Sequence, residues 1–212
     1  MNRCLGPAVL LASLALGSMG FPSPAAGQSL QLPFKIDEQD KVRDRDLQAD
    51  RVMELIGLRP GMIVGEAGAW YGYYTFKMSR RVGSAGLVYA NDINPAALRT
   101  IEDRCAAGRI TNIKTVLGAE DDPRFPRSDL DLILVGDCLH MFGRPAEWMA
   151  RARKYLKPGG RLVVIDPDRS KTMSASFLSK RQVRDFAERA GYKVIEADDG
   201  FLKNHMIVIL QN

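Results

Sequence analysis

The sequence predicts an α/β fold: a doubly wound, mostly parallel seven-stranded sheet with helices on both faces and the last strand antiparallel. Three observations carry this. Short apolar runs of strand length alternate with amphipathic stretches from about residue 52 to the C-terminus, the pattern of strand–helix units joined by right-handed crossovers. One run, LDLILV at 130–135, is apolar nearly throughout, as a strand covered on both faces must be. The length of 212 residues, 46% of them hydrophobic, suits one globular domain and is short for two.

Taken in order, residues 1–27 read as a signal peptide. Arg3 precedes an apolar run from Ala8 to Gly17, and Ala25 and Gly27 stand at small-x-small cleavage positions. The run is too short to span a bilayer comfortably. Cleavage after Gly27 implies an exported chain, periplasmic or secreted; without cleavage the chain stays in the cytoplasm. Residues 28–47 read as an extended, charge-rich arm, and 48–212 as the domain proper. Val52, Met53, Leu55, Ile56 and Leu58 form a helical stripe that Arg59-Pro60-Gly61 ends. Met62–Val64 is the first strand, and a Gly-rich turn leads into a helix from Gly72 to Val82. Leu87–Ala90 is the second strand. Asn94 caps and Pro95 opens the next helix.

Ile113–Leu117 and Leu130–Val135 are strands three and four. Pro145 opens a helix that reaches Leu156, Lys157-Pro158-Gly159-Gly160 stops it, and Arg161–Ile165 is strand five. Ser179 and Gln182 form a capping box, with Leu178 and Val183 placed as a hydrophobic staple. Tyr192–Ala197 and His205–Leu210 close the chain as an antiparallel pair. No later segment has the 18 apolar residues of a membrane span.

Composition excludes a disordered polyelectrolyte, a collagen-like repeat and a disulfide scaffold: Lys and Arg number 30 against 25 acids, and there are 3 Cys. Arg124, Arg127, Arg144, Arg151, Arg153 and Lys154 make one side basic, but no aromatic interleaving accompanies them. They read as a solvated face, and no nucleic-acid partner is expected. Two isolated His and, once the leader with Cys4 is set aside, two separated Cys (Cys105 and Cys138) give no metal-ligand spacing, so no metal site is expected.

Open α/β sheets bind ligands outside the carboxyl ends of their strands. Four segments land there: Glu66–Gly72, Asn91–Asn94, Gly118–Asp122 and Gly136–His140. Glycines in the first let the backbone approach a ligand. Asp92 suits the hydroxyls of a ribose, Glu120 to Asp122 an adenine amino group, and Asp137 a ligand ammonium. A crevice lined by acids suits a nucleoside with a cationic appendage and repels a pyrophosphate. The first turn also lacks the spacing of a nicotinamide-binding Gly-x-Gly-x-x-Gly.

On these residues, from about Val52 to Asn212, the sequence resembles a class I S-adenosylmethionine-dependent methyltransferase. The first motif of that family, acid-x-Gly-x-Gly-x-Gly, falls on Glu66, Gly68, Trp70 and Gly72. Its second-strand acid falls on Asp92 in VYANDI, and its adenine-site acid on Glu120 or Asp121 in LGAEDDPRFP. Its fourth-strand motif is DLDLILVGDCLHMF, and its post-helix turn LKPGG. The resemblance implies a Rossmann-like fold, S-adenosyl-L-methionine as cofactor, and methyl transfer to a small molecule it does not identify. It places Glu66 and Gly68 near the methionine part, Asp92 on the ribose and Asp137 at the amino-acid end.

The sequence departs from the motif at its central glycine, where Trp70 stands. A positive φ there makes an aromatic residue a backbone outlier. Two outcomes are open: the turn re-routes and the indole stacks beside the ligand, or the indole fills the pocket and leaves a non-catalytic binding protein. His140, just past strand four, is the candidate general base for the acceptor, or else a hydrogen-bonded helix-start residue. His205 reads as structural. Asp166 and Asp168 read as acceptor-pocket or turn residues, and Tyr71, Tyr73 and Tyr74 as acceptor-stacking or core aromatics.

Overall fold

The computed structural model describes residues 36–195, 197 and 199–212; the leader at 1–27 and the arm up to residue 35 lie outside them. The chain runs α1 (Ile36–Leu47), α2 (Ala49–Leu55), β1 (Ile63–Ala67), α3 (Tyr73–Val82), β2 (Leu87–Asp92), α4 (Pro95–Gly108) and β3 (Ile113–Leu117). Then follow β4 (Leu130–Gly136), α5 (Pro145–Ala152), β5 (Leu156–Pro167), α6 (Arg169–Thr172), α7 (Lys180–Arg189), β6 (Lys193–Ile195) and β7 (His205–Gln211). The sheet order is β3-β2-β1-β4-β5-β7-β6. The pairs from β3 to β5 are parallel, and β7 runs antiparallel to both β5 and β6. The expected fold class is therefore observed.

β4 lies in the middle of the sheet, and Leu132, Ile133, Leu134 and Val135 are wholly buried. Their side chains alternate between two cores. Ile133 and Val135 pack with Trp148, Met149 and Val183 on one face; Leu132 and Leu134 pack with Val52, Tyr74 and Met78 on the other. Each such burial contributes roughly 1.5–3 kcal/mol, which explains why the apolar run resists any other placement. Gly65 in β1 has Phe125 against it, so that a Cβ there would meet the ring at 2.6 Å.

Local signals act where expected. Asn94 accepts a hydrogen bond from the Ala96 amide, with Pro95 at the first position of α4. Ser179 and Gln182 form a reciprocal capping box on α7. Three expectations differ from the structure. Residues 36–47 are a helix, not an extended arm. Its ties are polar rather than an apolar stripe: Asp40 to Arg104, Asp44 to Tyr73 and Lys77, and Arg43 to Asp137. A search for apolar periodicity cannot see such a helix. The helix opened by Pro145 ends at Ala152 and tightens into a 3₁₀ turn at Arg153–Tyr155. The LKPGG segment is the start of β5, with a register shift beside Leu130; Gly159 takes φ +74° there.

Candidate functional site

At the carboxyl ends of β1, β2 and β4 a cavity of about 770 Å³ opens. Glu66, Gly68 and Trp70 line it from the turn after β1, Asp92 and Ile93 from the end of β2, and Glu120 from the loop after β3. Asp137, Cys138, Met141 and Phe142 line it from beyond β4, and Arg43 from α1. Six of the nine site residues expected from sequence thus share one wall. Gly72, Asp121 and His140 do not.

The turn after β1 is shaped by backbone conformation. Gly68, Trp70 and Gly72 all have positive φ, at +75°, +48° and +89°. Gly68 leaves no room for a Cβ, which would run into the Cys138 thiol; that thiol lies 3.3 Å from the Ala67 carbonyl. Trp70 keeps the left-handed conformation that a glycine would adopt, so the turn is not re-routed. Its amide donates to Asp92 Oδ2 at 2.8 Å. The indole is 51% exposed and stacks on Tyr71 with ring centroids 4.6 Å apart. It forms part of the rim and leaves the cavity open. Gly72 caps α3 instead of facing the cavity.

Asp92 is buried at the end of β2. Its Oδ1 accepts from the Asn94 amide at 2.8 Å while Oδ2 holds Trp70, so the carboxylate joins the first two loops and still borders the cavity. Glu66 is buried at the cavity floor, and Thr75 Oγ1 donates to it. Burial pushes its carboxyl up to about 8, against the opposing effects of Thr75 and Arg43. Glu120 is exposed on the wall. Asp121 points elsewhere: it pairs with Arg151 and borders an adjoining hollow of about 460 Å³. Of the two candidates for an adenine acid, only Glu120 lies on the main cavity. Asp122 is engaged by Lys154, Tyr155 and the Arg124 amide.

Asp137 has φ +55° and faces a guanidinium and an imidazole. Arg43 donates to Oδ2, and His205 Nε2 lies 3.1 Å from Oδ1. The histidine is close enough to attract that oxygen but is out of line for a hydrogen bond, so buried Oδ1 has no aligned donor. Burial alone would raise the Asp137 carboxyl; His205 and Arg43 outweigh it and hold the group below the usual carboxylate range. Arg43 also lies over the Tyr73 ring, 4.2 Å from its centroid. It is the one Lys or Arg on this cavity among the described residues. Sequence reading missed Arg43 because it belongs to the charged arm; the available signal was the four-residue spacing of Asp40 with Asp44 and of Arg43 with Leu47. It also missed the reach of His205 to Asp137, since only the antiparallel pairing of β7 with β5 brings that histidine to the edge. Tyr73 and Tyr74 are buried cavity residues, and Tyr74 Oη has no partner.

His140 lies in the 3₁₀ turn after β4. Its amide and its Nδ1 each lie 2.9 Å from an oxygen of Asp166, a residue with no exposure at all. Burial raises the Asp166 carboxyl, and His140 opposes that rise. Asp168 caps α6 through the Ser170 amide, away from the cavity. Arg127, Arg144, Arg151 and Lys154 each pair with an acid, as a solvated face does. Among the described residues no group of three or more His, Cys, Asp or Glu is placed to hold a metal, and no helix is long and apolar enough to cross a membrane.

Comparison with known proteins points the same way. A methyltransferase-domain family model matches residues 64–160, the stretch from β1 to the LKPGG turn that carries the turn, the second-strand acid and the β4 motif. Over that stretch the chain is similar to class I S-adenosylmethionine-dependent methyltransferases. It is 33% identical over 111 residues to a ubiquinone/menaquinone biosynthesis C-methyltransferase of Vibrio vulnificus, covering 52% of this chain and 43% of that protein. The counterpart from Hydrogenovibrio crunogenus is 30% identical over 115 residues, covering 54% and 45%. The match therefore spans less than half the length of these relatives. In fold the chain is similar to a S-adenosylmethionine-dependent methyltransferase from Aquifex aeolicus, with TM-score 0.73 and 23% identity over 84% of this chain and 96% of that one. It is also similar to Aeropyrum pernix fibrillarin, solved with natively bound S-adenosyl-L-methionine, with TM-score 0.59 and 21% identity over 77% and 73%.

The family's cofactor, S-adenosyl-L-methionine, suits the residues present. It joins an adenosine to a methionine that carries one carboxylate and one ammonium. The cavity offers one cation, Arg43, next to the carboxylate of Asp137, whose Oδ1 has no aligned donor. Asp92 and Glu120 face it from the next two loops.

Proposed function

We propose that this chain is an active methyltransferase that moves a methyl group from S-adenosyl-L-methionine to a small, largely apolar acceptor of quinone-like chemistry. The observation that carries the reading is the open cavity with its pairing of Arg43 and Asp137. The half-exposed indole beside the open hollow supports this reading over a non-catalytic descendant whose pocket Trp70 closes.

Bound cofactor supplies a methyl group already activated on a sulfonium. The residues of this chain have to hold and orient it. In this reading Arg43 takes the carboxylate, Asp137 the ammonium, Asp92 the ribose hydroxyls and Glu120 the adenine edge. Apolar side chains at the mouth, Trp70, Ile93 and Met141, are all more than half exposed and border the cavity. They favour an apolar acceptor, as do the named products of the matching relatives. The leader at 1–27 supports export of the chain, which mass spectrometry of the native N-terminus checks.

The test is a calorimetric titration of the full chain with S-adenosyl-L-methionine and with its demethylated product, on wild type and Arg43→Ala. Losing a hydrogen bond to a charged group costs about 1.5–3 kcal/mol, so Arg43→Ala weakens binding roughly 10- to 150-fold. No heat from well-folded wild type rejects the reading.

A further inference from the structure

We propose that His140 is the general base of this site, that Asp166 positions it, and that the acceptor presents a weakly acidic hydroxyl, phenolic or enolic, to His140 Nε2. The proposal rests on the methyl-transfer reading above and names the acceptor's reacting group.

The argument starts from Asp166. Its carboxylate is completely buried at the end of β5, where burying a charge is expensive unless it is paired. Both of its partners belong to one residue: the His140 amide and the His140 Nδ1, each at 2.9 Å. The first bond fixes the turn and the second fixes the ring. A carboxylate at Nδ1 holds the proton on that nitrogen, so the neutral imidazole keeps a bare lone pair on Nε2. Phe177 packs edge-on against the ring, with centroids 5.0 Å apart, and limits its rotation. Nε2 has no protein partner among the described residues.

His140 does not itself line the cavity, but the turn that carries it does. Asp137 and Cys138 on one side of His140 line the cavity, and so do Met141, Phe142 and Gly143 on the other. The imidazole is partly open, its side chain 18% exposed. The chain has two histidines, and both stand at this edge of the sheet beside a carboxylate: His140 with Asp166, and His205 with Asp137. The charged groups around the imidazole are Asp166 on β5 and Asp137 at the end of β4, the latter already held by Arg43 and His205. The α6–α7 loop contributes the apolar Phe177.

In the step, the acceptor's O–H proton passes to Nε2. The released electron pair forms the new bond to the methyl carbon, while the C–S bond breaks and its pair stays on sulfur. Where the pair acts through the carbon conjugated to oxygen, that carbon then loses its own hydrogen to water as a proton, and the proton held on Nε2 returns to the oxygen and restores the hydroxyl. General-base help of this kind contributes about 10²–10⁴-fold, and only for an acceptor that is still protonated.

The test has two arms. Long-range ¹H–¹⁵N NMR of the untagged His205→Gln chain reads His140 as its single histidine. The expected tautomer carries the proton on Nδ1 and loses that preference in Asp166→Asn; an Nε2–H tautomer overturns the proposal without any need for activity. The second arm compares 4-methoxyphenol, protonated at neutral pH, with thiophenol, largely ionised there. His140→Gln is expected to slow transfer to the phenol about 10²–10⁴-fold and transfer to the thiol less than about 3-fold. Equal losses on both probes make His140 structural and overturn the proposal. So does undiminished transfer to the phenol, or wild type that binds cofactor yet methylates neither probe. Wild type that binds no cofactor instead rejects the methyl-transfer reading, and the tautomer then stands as its own result.

Discussion

Replacing Trp70 with glycine supplies the central glycine of the motif that the sequence resembles, and the structure fixes what this should do. About half of the side chain is sheltered. Of the roughly 150–250 Å² a Trp can bury, that is about 100 Å², or about 2.5 kcal/mol at roughly 25 cal/mol per Å². Glycine relieves the left-handed backbone at φ +48°, a gain of about 1 kcal/mol, and gives back about 0.5–1 kcal/mol through its freer unfolded chain. The net is a destabilisation of about 2 kcal/mol, read in thermal unfolding as a fall of roughly 4–8 °C for a chain of this size. At the cavity the variant loses an aromatic rim contact of about 0.5–1.5 kcal/mol, so the demethylated cofactor binds roughly 2- to 10-fold more weakly by calorimetry. Glycine that tightens binding tenfold, or creates binding absent from wild type, would falsify the open-pocket geometry and show that the indole closes the site.

Three other outcomes follow from the same wall. Glu66 carries a folded-state pKa of about 8 against an ordinary 4.5, so the folded chain holds a proton the unfolded chain releases. Its contribution to stability is complete below about 4.5, is lost as pH rises towards about 8, and is flat beyond; Glu66→Gln should flatten that slope in melts from pH 5 to 8, and an unchanged slope refutes the assignment. Asp92→Ala leaves the amides of Trp70 and Asn94 without their acceptor. It should lower stability by about 1–3 kcal/mol and cofactor affinity at least about tenfold, with Asp92→Asn in between; denaturant melts and calorimetry separate the two effects. Gly68→Ala combines φ +75° with a collision against Cys138, costing about 2–4 kcal/mol. Adding Cys138→Ala should recover only the steric part, and full recovery would mean that backbone strain at residue 68 is negligible.

The order of the elements and the edge of the sheet that binds could be read from the chain alone, because each rests on local rules. LDLILV can satisfy its apolar side chains only between two covered faces, and Asn94-Pro95 and Ser179-x-x-Gln182 start helices by nearest-neighbour hydrogen bonds. The first turn was legible for the same reason: Gly68 and Gly72 are required by backbone conformation at their own positions. What the sequence left open was settled by contacts between residues far apart in the chain. Arg43 meets Asp137 across 94 positions, His140 meets Asp166 across two elements, and His205 arrives through an antiparallel register. Glu120 lies on the cavity while Asp121 turns to Arg151, a choice made by a partner on α5 that neighbouring residues do not specify. Helix α1 went unread because ion pairs hold it along its length and Leu47 at its end is its buried apolar anchor among the described residues. Local conformational preference and hydrophobic periodicity are properties of a short stretch, so the chain determined the frame; ion pairing and the direction of a side chain depend on which distant residues folding brings together, so tertiary structure decided the site.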